Sequence, residues 1–554
     1  MKLLRATAGV AGVAAGLWLM LTMAACRSRP PVRISFVQSA PSVEAYDFVE
    51  VAASVGWPRS GNPFTDAEFS GWFERADGTG RVHVDGFCDS DDGSIFRVRF
   101  MPPVPGEYRY SVQYRQGGAA ADFSGTFRAV DGHRRGPVRV DSRYPWHFVW
   151  EGTGEHYFFN GTTAYWLIGW TDDHVIESSL ERLHTLKVNR VRVTVAGRTD
   201  RFFGEPVMVG KNWTVFLTPW PAKEPEDTFH PSFDFSRFYV PHWQKLERAL
   251  RFARERDMVI SLVLDMNDSR THPAADSEDE RRFIRYAVAR LSAFSNVTWD
   301  LGDDLDTYRS ESWTHRTGEF VYKLDPYHHL ATSHPVNPVH QDRMAEWFGF
   351  TSFQEWSRRQ HVFMLAERKR QQELGRIIPQ TNEEYGYEDH YPTWSAGLGS
   401  DSADALRRTA WDIAMAGGYQ TTGETARRGT NILPDTGGGW MNGRGDDTMT
   451  MLRGYSYMVD FFTSFDWWKA DPHDELVNPG NYCLAEPGST YAVYLPHGGR
   501  VTVRLGSGAY AAEWFDPATG NRTDLPPARG PIWISPVAPD QNDWALLLRR
   551  KSVH

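Results

Sequence analysis

Two short stretches hold the residues best suited to chemistry. In Trp299-Asp300-Leu301-Gly302-Asp303-Asp304-Leu305-Asp306 an apolar, strand-like run meets a glycine and then three acids within four positions. Further on, Asn382-Glu383-Glu384-Tyr385-Gly386-Tyr387-Glu388 gathers a second acidic group. Carboxyl groups that work in pairs divide a task. One donates a proton to a leaving oxygen, while the other, ionised, attacks carbon or activates water, as cleavage of a glycosidic bond requires. Two carboxylates in one pocket also push their pKa values apart, so that one keeps its proton near neutral pH. Neighbouring strand residues point to opposite faces, so only one of Glu383 and Glu384 is expected in such a pocket.

The elements around these stretches alternate. Tyr157–Thr163, Asn189–Val195, Met258–Asp265 and Val297–Leu301 read as buried strands, and Leu330–His334, Gly349–Gln354, Arg376–Thr381 and Tyr419–Thr422 continue the series. The run Met258–Leu264 is apolar but for Ser261, as suits a strand covered on both faces. Helix faces lie between them: Leu246, Ala249, Leu250 and Ala253 recur at i, i+3, i+4 and i+7, as do Ile284, Ala287, Val288 and Leu291. Eight strands alternating with helices over residues 140–462 predict a (β/α)8 TIM barrel. No Gly-x-Gly-x-x-Gly opens a first helix, which argues against a doubly wound sheet. Acids at the ends of the fourth and seventh strands would face each other where barrels carry their active sites. The segment from Arg198 to Val240 is a long insertion rich in Pro, Phe and Trp.

The flanks have a shorter rhythm. Residues 32–135 read as an N-terminal β-sandwich of alternating strands such as Phe48–Ala53, Ile95–Phe100 and Gly106–Val112. Residues 468–550 read as a small C-terminal β-domain, with Asp516-Pro517-Ala518-Thr519-Gly520 as a turn between strands.

Composition bounds the function. The 554 residues exceed one ordinary core, and 41% hydrophobic with 23% charged residues is globular. A net charge of −10 leaves no basic footprint, so nucleic acid is not an expected partner. The N-terminus carries Lys2 and Arg5, then an uncharged apolar run from Ala6 to Ala25. That is the layout of a secretory signal. Its end, Met23-Ala24-Ala25-Cys26, resembles a bacterial lipobox, in which Cys26 is lipidated; an uncleaved membrane anchor is the alternative. Residues 1–26 are thus expected as a lipoprotein signal, and the rest as exported, membrane-tethered and facing the periplasm or the cell surface. Cys88 and Cys483, far apart, read as buried thiols, and no Cys/His metal spacing is present. Neither a metal nor a cofactor is expected.

Several motifs together resemble the apiosidase-like glycoside hydrolases with an extra N-terminal β-domain. They are Asn160-Gly161-Thr162-Thr163-Ala164-Tyr165-Trp166, the two acidic stretches, Trp411–Gly418, Val493-Tyr494-Leu495-Pro496 and Trp514-Phe515-Asp516-Pro517. The resemblance runs from about residue 35 to the end, and the wider clan carries Asn-Glu after strand four and Glu after strand seven. It implies Asp304 as acid/base, Asp303 in the asparagine's place and Glu384 as partner carboxylate. Asp303-Asp304 departs from the clan's pair. Aspartate is one methylene shorter, about 1.5 Å of reach. That widens the carboxyl gap from about 5–5.5 Å, typical of retaining sites, towards the 6.5–9.5 Å or so of inverting ones. The stereochemical outcome is therefore left open.

Candidate sugar ligands are Asp303, Asp306, Glu388, His334, Gln354, Arg192 and Asp265, with Trp166, Trp170 and Trp440 read either as stacking platforms or as core packing. Asp435-Thr436-Gly437 and Arg444-Gly445-Asp446 resemble protease and adhesion tripeptides and are discounted. The reading is an exported glycoside hydrolase acting on a polysaccharide or its oligosaccharides. A non-catalytic glycan-binding lipoprotein and a polysaccharide lyase are the alternatives.

Overall fold

The computed structural model describes residues 33–58, 61–199, 212–388, 400–424, 439–445 and 450–551. The expected leader with Cys26, the Asp435-Thr436-Gly437 triplet, Asp446 and part of the insertion after Arg198 lie outside these residues.

The N-terminal part is two sheets face to face. One has four antiparallel strands, Arg33–Gln38, Val49–Gly56, Ile95–Phe100 and Phe87–Cys88. The other has five, Ser42–Glu44, Ala119–Val130, Gly106–Gln116, Ala67–Arg75 and Val82–Asp85. Burial alternates along Gly106–Gln116, so one face of each strand enters the core. That core holds Val51, Phe73, Val98, Phe100 and Tyr114, with Phe73 stacked on Phe100 at 4.7 Å.

Eight parallel strands form the centre: β1 (Asn160–Thr163), β2 (Arg190–Thr194), β3 (Val259–Val263), β4 (Val297–Asp300), β5 (Ala331–Thr332), β6 (Phe353–Gln354), β7 (Thr381–Glu384) and β8 (Tyr419–Glu424). Their order, β5-β4-β3-β2-β1-β8-β7-β6, is that of a TIM barrel opened between β5 and β6. That seam is held by a bridge from Ala331 to Phe348, with the Gly349 N–H donating to the Ala331 carbonyl at 2.8 Å. Helices α1 (Asp173–Thr185), α2 (Val240–Arg254), α3 (Glu278–Leu291), α4 (Glu311–Leu324), α5 (Gln360–Leu374), α6 (Ala403–Met415) and α7 (Met451–Phe462) cover the outside. The periodic apolar residues of α2 and α3 are buried as expected.

Two expectations are corrected. Between β5 and β6 the described chain makes a 3-10 turn, Pro338–His340, where the alternation called for a helix. β7 begins at Thr381, five residues after its expected start at Arg376. Pro379 has no N–H to give a ladder. The Arg376 guanidinium instead reaches across to the Arg343, Ala345 and Phe348 carbonyls. The acids Glu383 and Glu384 therefore lie inside the strand, not after it.

Behind the barrel, a six-stranded sheet ordered Asp471–Pro472, Tyr482–Glu486, Thr490–Leu495, Trp544–Arg550, Ala509–Phe515 and Arg522–Arg529 closes the chain. Among the described residues no helix is long and apolar enough to cross a membrane.

A buried ionic lattice locks the sandwich to the barrel. Glu247 on α2 accepts from Arg99 at 2.8 and 3.0 Å and lies 2.5 Å from Arg290 Nε, while Arg290 also donates to Asp89 at 2.6 Å. Removing one partner of such a set strands a charge out of water, at about 3–5 kcal/mol. Glu247→Ala is expected to lower the thermal unfolding midpoint clearly, and an unchanged midpoint would show the lattice to be dispensable.

Candidate active site

The loop after β4 is shaped by close approach. A Cβ on Gly302 would stand 2.9 Å from the Asp265 carbonyl, so only glycine fits there. Asp303 N–H then donates to that carbonyl at 3.1 Å, and Leu305 N–H to the His334 carbonyl at 3.1 Å. Between them Asp304 adopts φ 52° and ψ 33°, a left-handed conformation that Asp tolerates better than most residues. This turn aims two adjacent carboxyls into the barrel mouth. Asp306 ties the loop down by accepting from Val336 N–H at 2.7 Å and Asn337 N–H at 2.9 Å, with His340 Nδ1 at 3.1 Å.

On the opposite side β7 carries a bulge. Phe353 of β6 pairs with Asn382 and Gln354 with Glu384, so Glu383 is the extra residue. The expectation that strand alternation would send Glu383 and Glu384 to opposite faces is corrected by this irregularity. Glu383 turns into the barrel interior, paired with Arg190 and accepting from Ser352 Oγ at 2.5 Å. Glu384 stands at the mouth with Oε2 3.5 Å from His334 Nε2 and is hydrogen-bonded to Tyr387. Gly386, at φ 121°, takes a backbone conformation that L side chains rarely adopt as the chain goes on to Tyr387.

The electrostatics separate the acids. Asp303 is buried; burial opposes its charge, but Arg198, His334 and Arg192 and the hydrogen bond from Tyr165 outweigh it and hold its pKa below the usual carboxylate range. Its Oδ1 accepts from Tyr165 at 2.6 Å and its Oδ2 from Arg198 at 3.3 Å. For Asp304, burial together with the charges of Asp303 and Glu384 pushes the pKa up to about 7. Its Oδ1 is enclosed without a hydrogen-bond partner among the described residues. Asp304 therefore stays protonated to near-neutral pH, beside an ionised Asp303. Burial and Arg192 oppose a charge on His334, but its contact with Glu384 and the Asp303 charge prevail and raise its pKa.

The other sequence candidates divide. Gln354 is the cross-strand neighbour of Glu384 and its Oε1 has no partner among the described residues, so it remains poised for a ligand. Arg192 lies under the mouth, fully buried, donating to Tyr165 at 3.0 Å and Asp300 at 3.0 Å. Asp265 is taken by Arg309 at 2.9 and 2.7 Å, Asp306 by the loop contacts above, and Glu388 accepts from the Thr450 N–H at 3.1 Å. Trp166, Trp170 and Trp440 are each at most 2% exposed, so of the two readings, stacking platform or core packing, they are packed side chains. Trp166 and Trp440 meet edge to face at 6.2 Å. Sequence reasoning missed Tyr165, Arg198, Ser352 and Tyr387. Tyr165 and Tyr387 sit inside quoted motifs, whereas Arg198 and Ser352 carry no local signal.

Asp303, Asp304 and His334 offer atoms within 4.8 Å of one another, a spacing a cation could bridge. Asp303 already serves Tyr165 and Arg198, and the guanidiniums of Arg192 and Arg198 would repel a divalent ion there. The set suits proton chemistry better.

Comparison with known proteins bears on the fold and the family. Residues 42–115 match a domain family of unknown function, DUF5060. A solved structure from Bacteroides vulgatus ATCC 8482, named as a candidate glycoside hydrolase, superposes with a TM-score of 0.76 at 21% identity, covering 92% of this chain and all of that one. A second from the same organism, named as a glycoside hydrolase family 5 member, gives 0.59 at 14% identity over 75% of this chain and 93% of its own. Both show the fold. No curated protein matches. Residues 147–424, which span all eight barrel strands and both acidic stretches, match the model of the apiosidase-like catalytic domain, and the chain belongs to that family of glycoside hydrolases.

Proposed function

We propose that the protein is an exported, lipid-anchored hydrolase that cleaves O-glycosidic bonds in a polysaccharide or in oligosaccharides cut from one. Asp304 is the proton donor to the leaving oxygen, and Glu384 is the ionised partner that attacks the anomeric carbon or activates water. The observation that carries this is the difference between neighbouring acids in one barrel mouth. Asp304 is held protonated up to about pH 7 while Asp303 next to it is held ionised. That is the division of labour an acid-assisted cleavage needs near neutral pH. Asp303, fixed by Tyr165 and Arg198, sets the charge that keeps the proton on Asp304, and Gln354 is the candidate sugar ligand beside Glu384. The similar structures are named as glycoside hydrolases, which supports a carbohydrate substrate.

Screening a panel of plant and microbial polysaccharides for released sugars tests the activity, with the anomer followed by NMR to assign retention or inversion. No release from any member would remove the reading. Export and anchoring rest on the leader and the Met23–Cys26 motif. Cys26→Ala is expected to move the protein from the detergent phase to the aqueous phase, whereas unchanged partitioning would favour an uncleaved anchor.

A further inference from the structure

The bulge in β7 makes two adjacent carboxylates address one histidine. Glu384 faces His334 Nε2 directly at 3.5 Å. Glu383 reaches the same ring from the other side through Ser352: Glu383 Oε2 to Ser352 Oγ is 2.5 Å, and Ser352 Oγ to His334 Nδ1 is 2.8 Å. We propose that Glu383 and Ser352 form a relay that fixes His334 as an imidazolium, and that His334 is thereby a positioning residue that holds Glu384 in its orientation. This rests on the role of Glu384 given above and adds three residues to it.

The proton inventory follows from chemistry. A serine hydroxyl has one hydrogen and two lone pairs. Glu383 is surrounded by Arg190, Arg192 and the Ser352 hydroxyl; burial opposes its charge, but these partners keep it ionised. An ionised carboxylate only accepts, so the Ser352 hydrogen is committed to Glu383, and Ser352 must accept from His334 Nδ1–H. A neutral His334 would then turn the bare lone pair of Nε2 towards Glu384 at 3.5 Å and Asp303 Oδ1 at 3.9 Å. Lone pair against carboxylate is repulsive, and a second proton on Nε2 removes the conflict.

The surrounding charges agree. Facing or close to His334 are Arg192 from β2, Asp300 from β4, Asp303 and Asp304 from the following loop, Ser352 from the loop entering β6, and Glu383 and Glu384 from β7. With Arg190 and Arg198 completing the cluster, a charged His334 adds a fourth cation facing the carboxyl groups of Asp300, Asp303, Glu383 and Glu384. Asp303 and Glu383 are held ionised by their partners, whereas burial raises the pKa of Asp300, and burial with the neighbouring acids raises that of Asp304. A carboxylate is costly where water is excluded unless a cation faces it, and a charged His334 supplies one.

The experiment reads the ring itself. In protein labelled with 15N-histidine, long-range 1H–15N correlations report both ring nitrogens, and His334→Gln assigns the signal by its loss. The wild-type ring is expected to be doubly protonated at neutral pH. On titration to alkaline pH it should lose the Nε2 proton and keep the one on Nδ1. Ser352→Ala is expected to lower the midpoint by about one unit or more and to cost about 10–100-fold in kcat/KM, mostly through kcat; Ser352→Thr, which keeps the hydroxyl, should restore both. A wild-type ring that is neutral at neutral pH, or that carries its single proton on Nε2, overturns the relay. So does a midpoint unmoved by Ser352→Ala. These spectra need no substrate, so they separate failure of the relay from failure of the hydrolase reading.

Discussion

Glu384→Gln is expected to lower kcat by about 10⁴-fold or more, with the fold intact. On the scale of about 1.4 kcal/mol per tenfold, that is a loss of roughly 5–6 kcal/mol in transition-state stabilisation. The amide keeps the volume of the carboxylate but cannot attack the anomeric carbon or take a proton from water. A second consequence distinguishes this loss from simple misfolding. The Glu384 charge is one of the causes that raise the pKa of Asp304. With it gone Asp304 gives up its proton more readily, so the alkaline fall of any residual activity should move to lower pH. Steady-state kinetics on a cleavable oligosaccharide, measured across pH, checks both. Near-wild-type turnover would remove Glu384 from the mechanism.

Asp304→Asn should cost about 10²–10⁴-fold in kcat/KM on a natural, poor leaving group, the range spanned by positioned general acids. The sign of the pH effect is fixed by the raised pKa. The acid form of Asp304 predominates below about pH 7, so wild-type kcat/KM should fall as pH rises through that value. The variant should lack that limb, because an amide does not titrate there. An aryl glycoside with an acidic phenol leaves without protonation. On it, the first, bond-breaking step of the Asp304→Asn variant should be nearly as fast as in wild type. An equal loss on both substrates would show that Asp304 acts on shape and not as a proton donor.

Much of the barrel was legible in the chain because its signals are local. The apolar run at Met258–Leu264 became β3, and the i, i+3, i+4 faces of α2 and α3 lie buried as their spacing required. The family expected from the ordered motifs is the one whose model matches. What could not be read depends on pairings distant in sequence. The β7 bulge exists only in register against Gln354, and nothing in Asn382-Glu383-Glu384 alone says which residue is extra. The partners of Asp303 come from Tyr165 and Arg198, 138 and 105 positions away. Arg192 and Asp265 were sensible sugar ligands by strand position. They proved to be neutralised by Asp300 and Arg309, because a charge buried in a barrel needs a counter-charge before it can serve a substrate. The tryptophans could be read two ways for a related reason: flat aromatic faces are as useful in a core as in a sugar cleft.

In the proposed reaction, paired carboxyls deliver water to an anomeric carbon. It is tested most directly by running the reaction in H2(18O) on an oligosaccharide that the polysaccharide screen shows to be processed or bound. Hydrolysis predicts one 18O atom at the newly formed reducing end, seen as a mass increase of the product, with no ultraviolet absorbance gained, and with loss of the signal in Glu384→Gln. An unsaturated product that absorbs in the ultraviolet and carries no 18O at a new reducing end would contradict the account in favour of a lyase. An oligosaccharide that binds and is recovered intact would contradict it in favour of a glycan-binding protein.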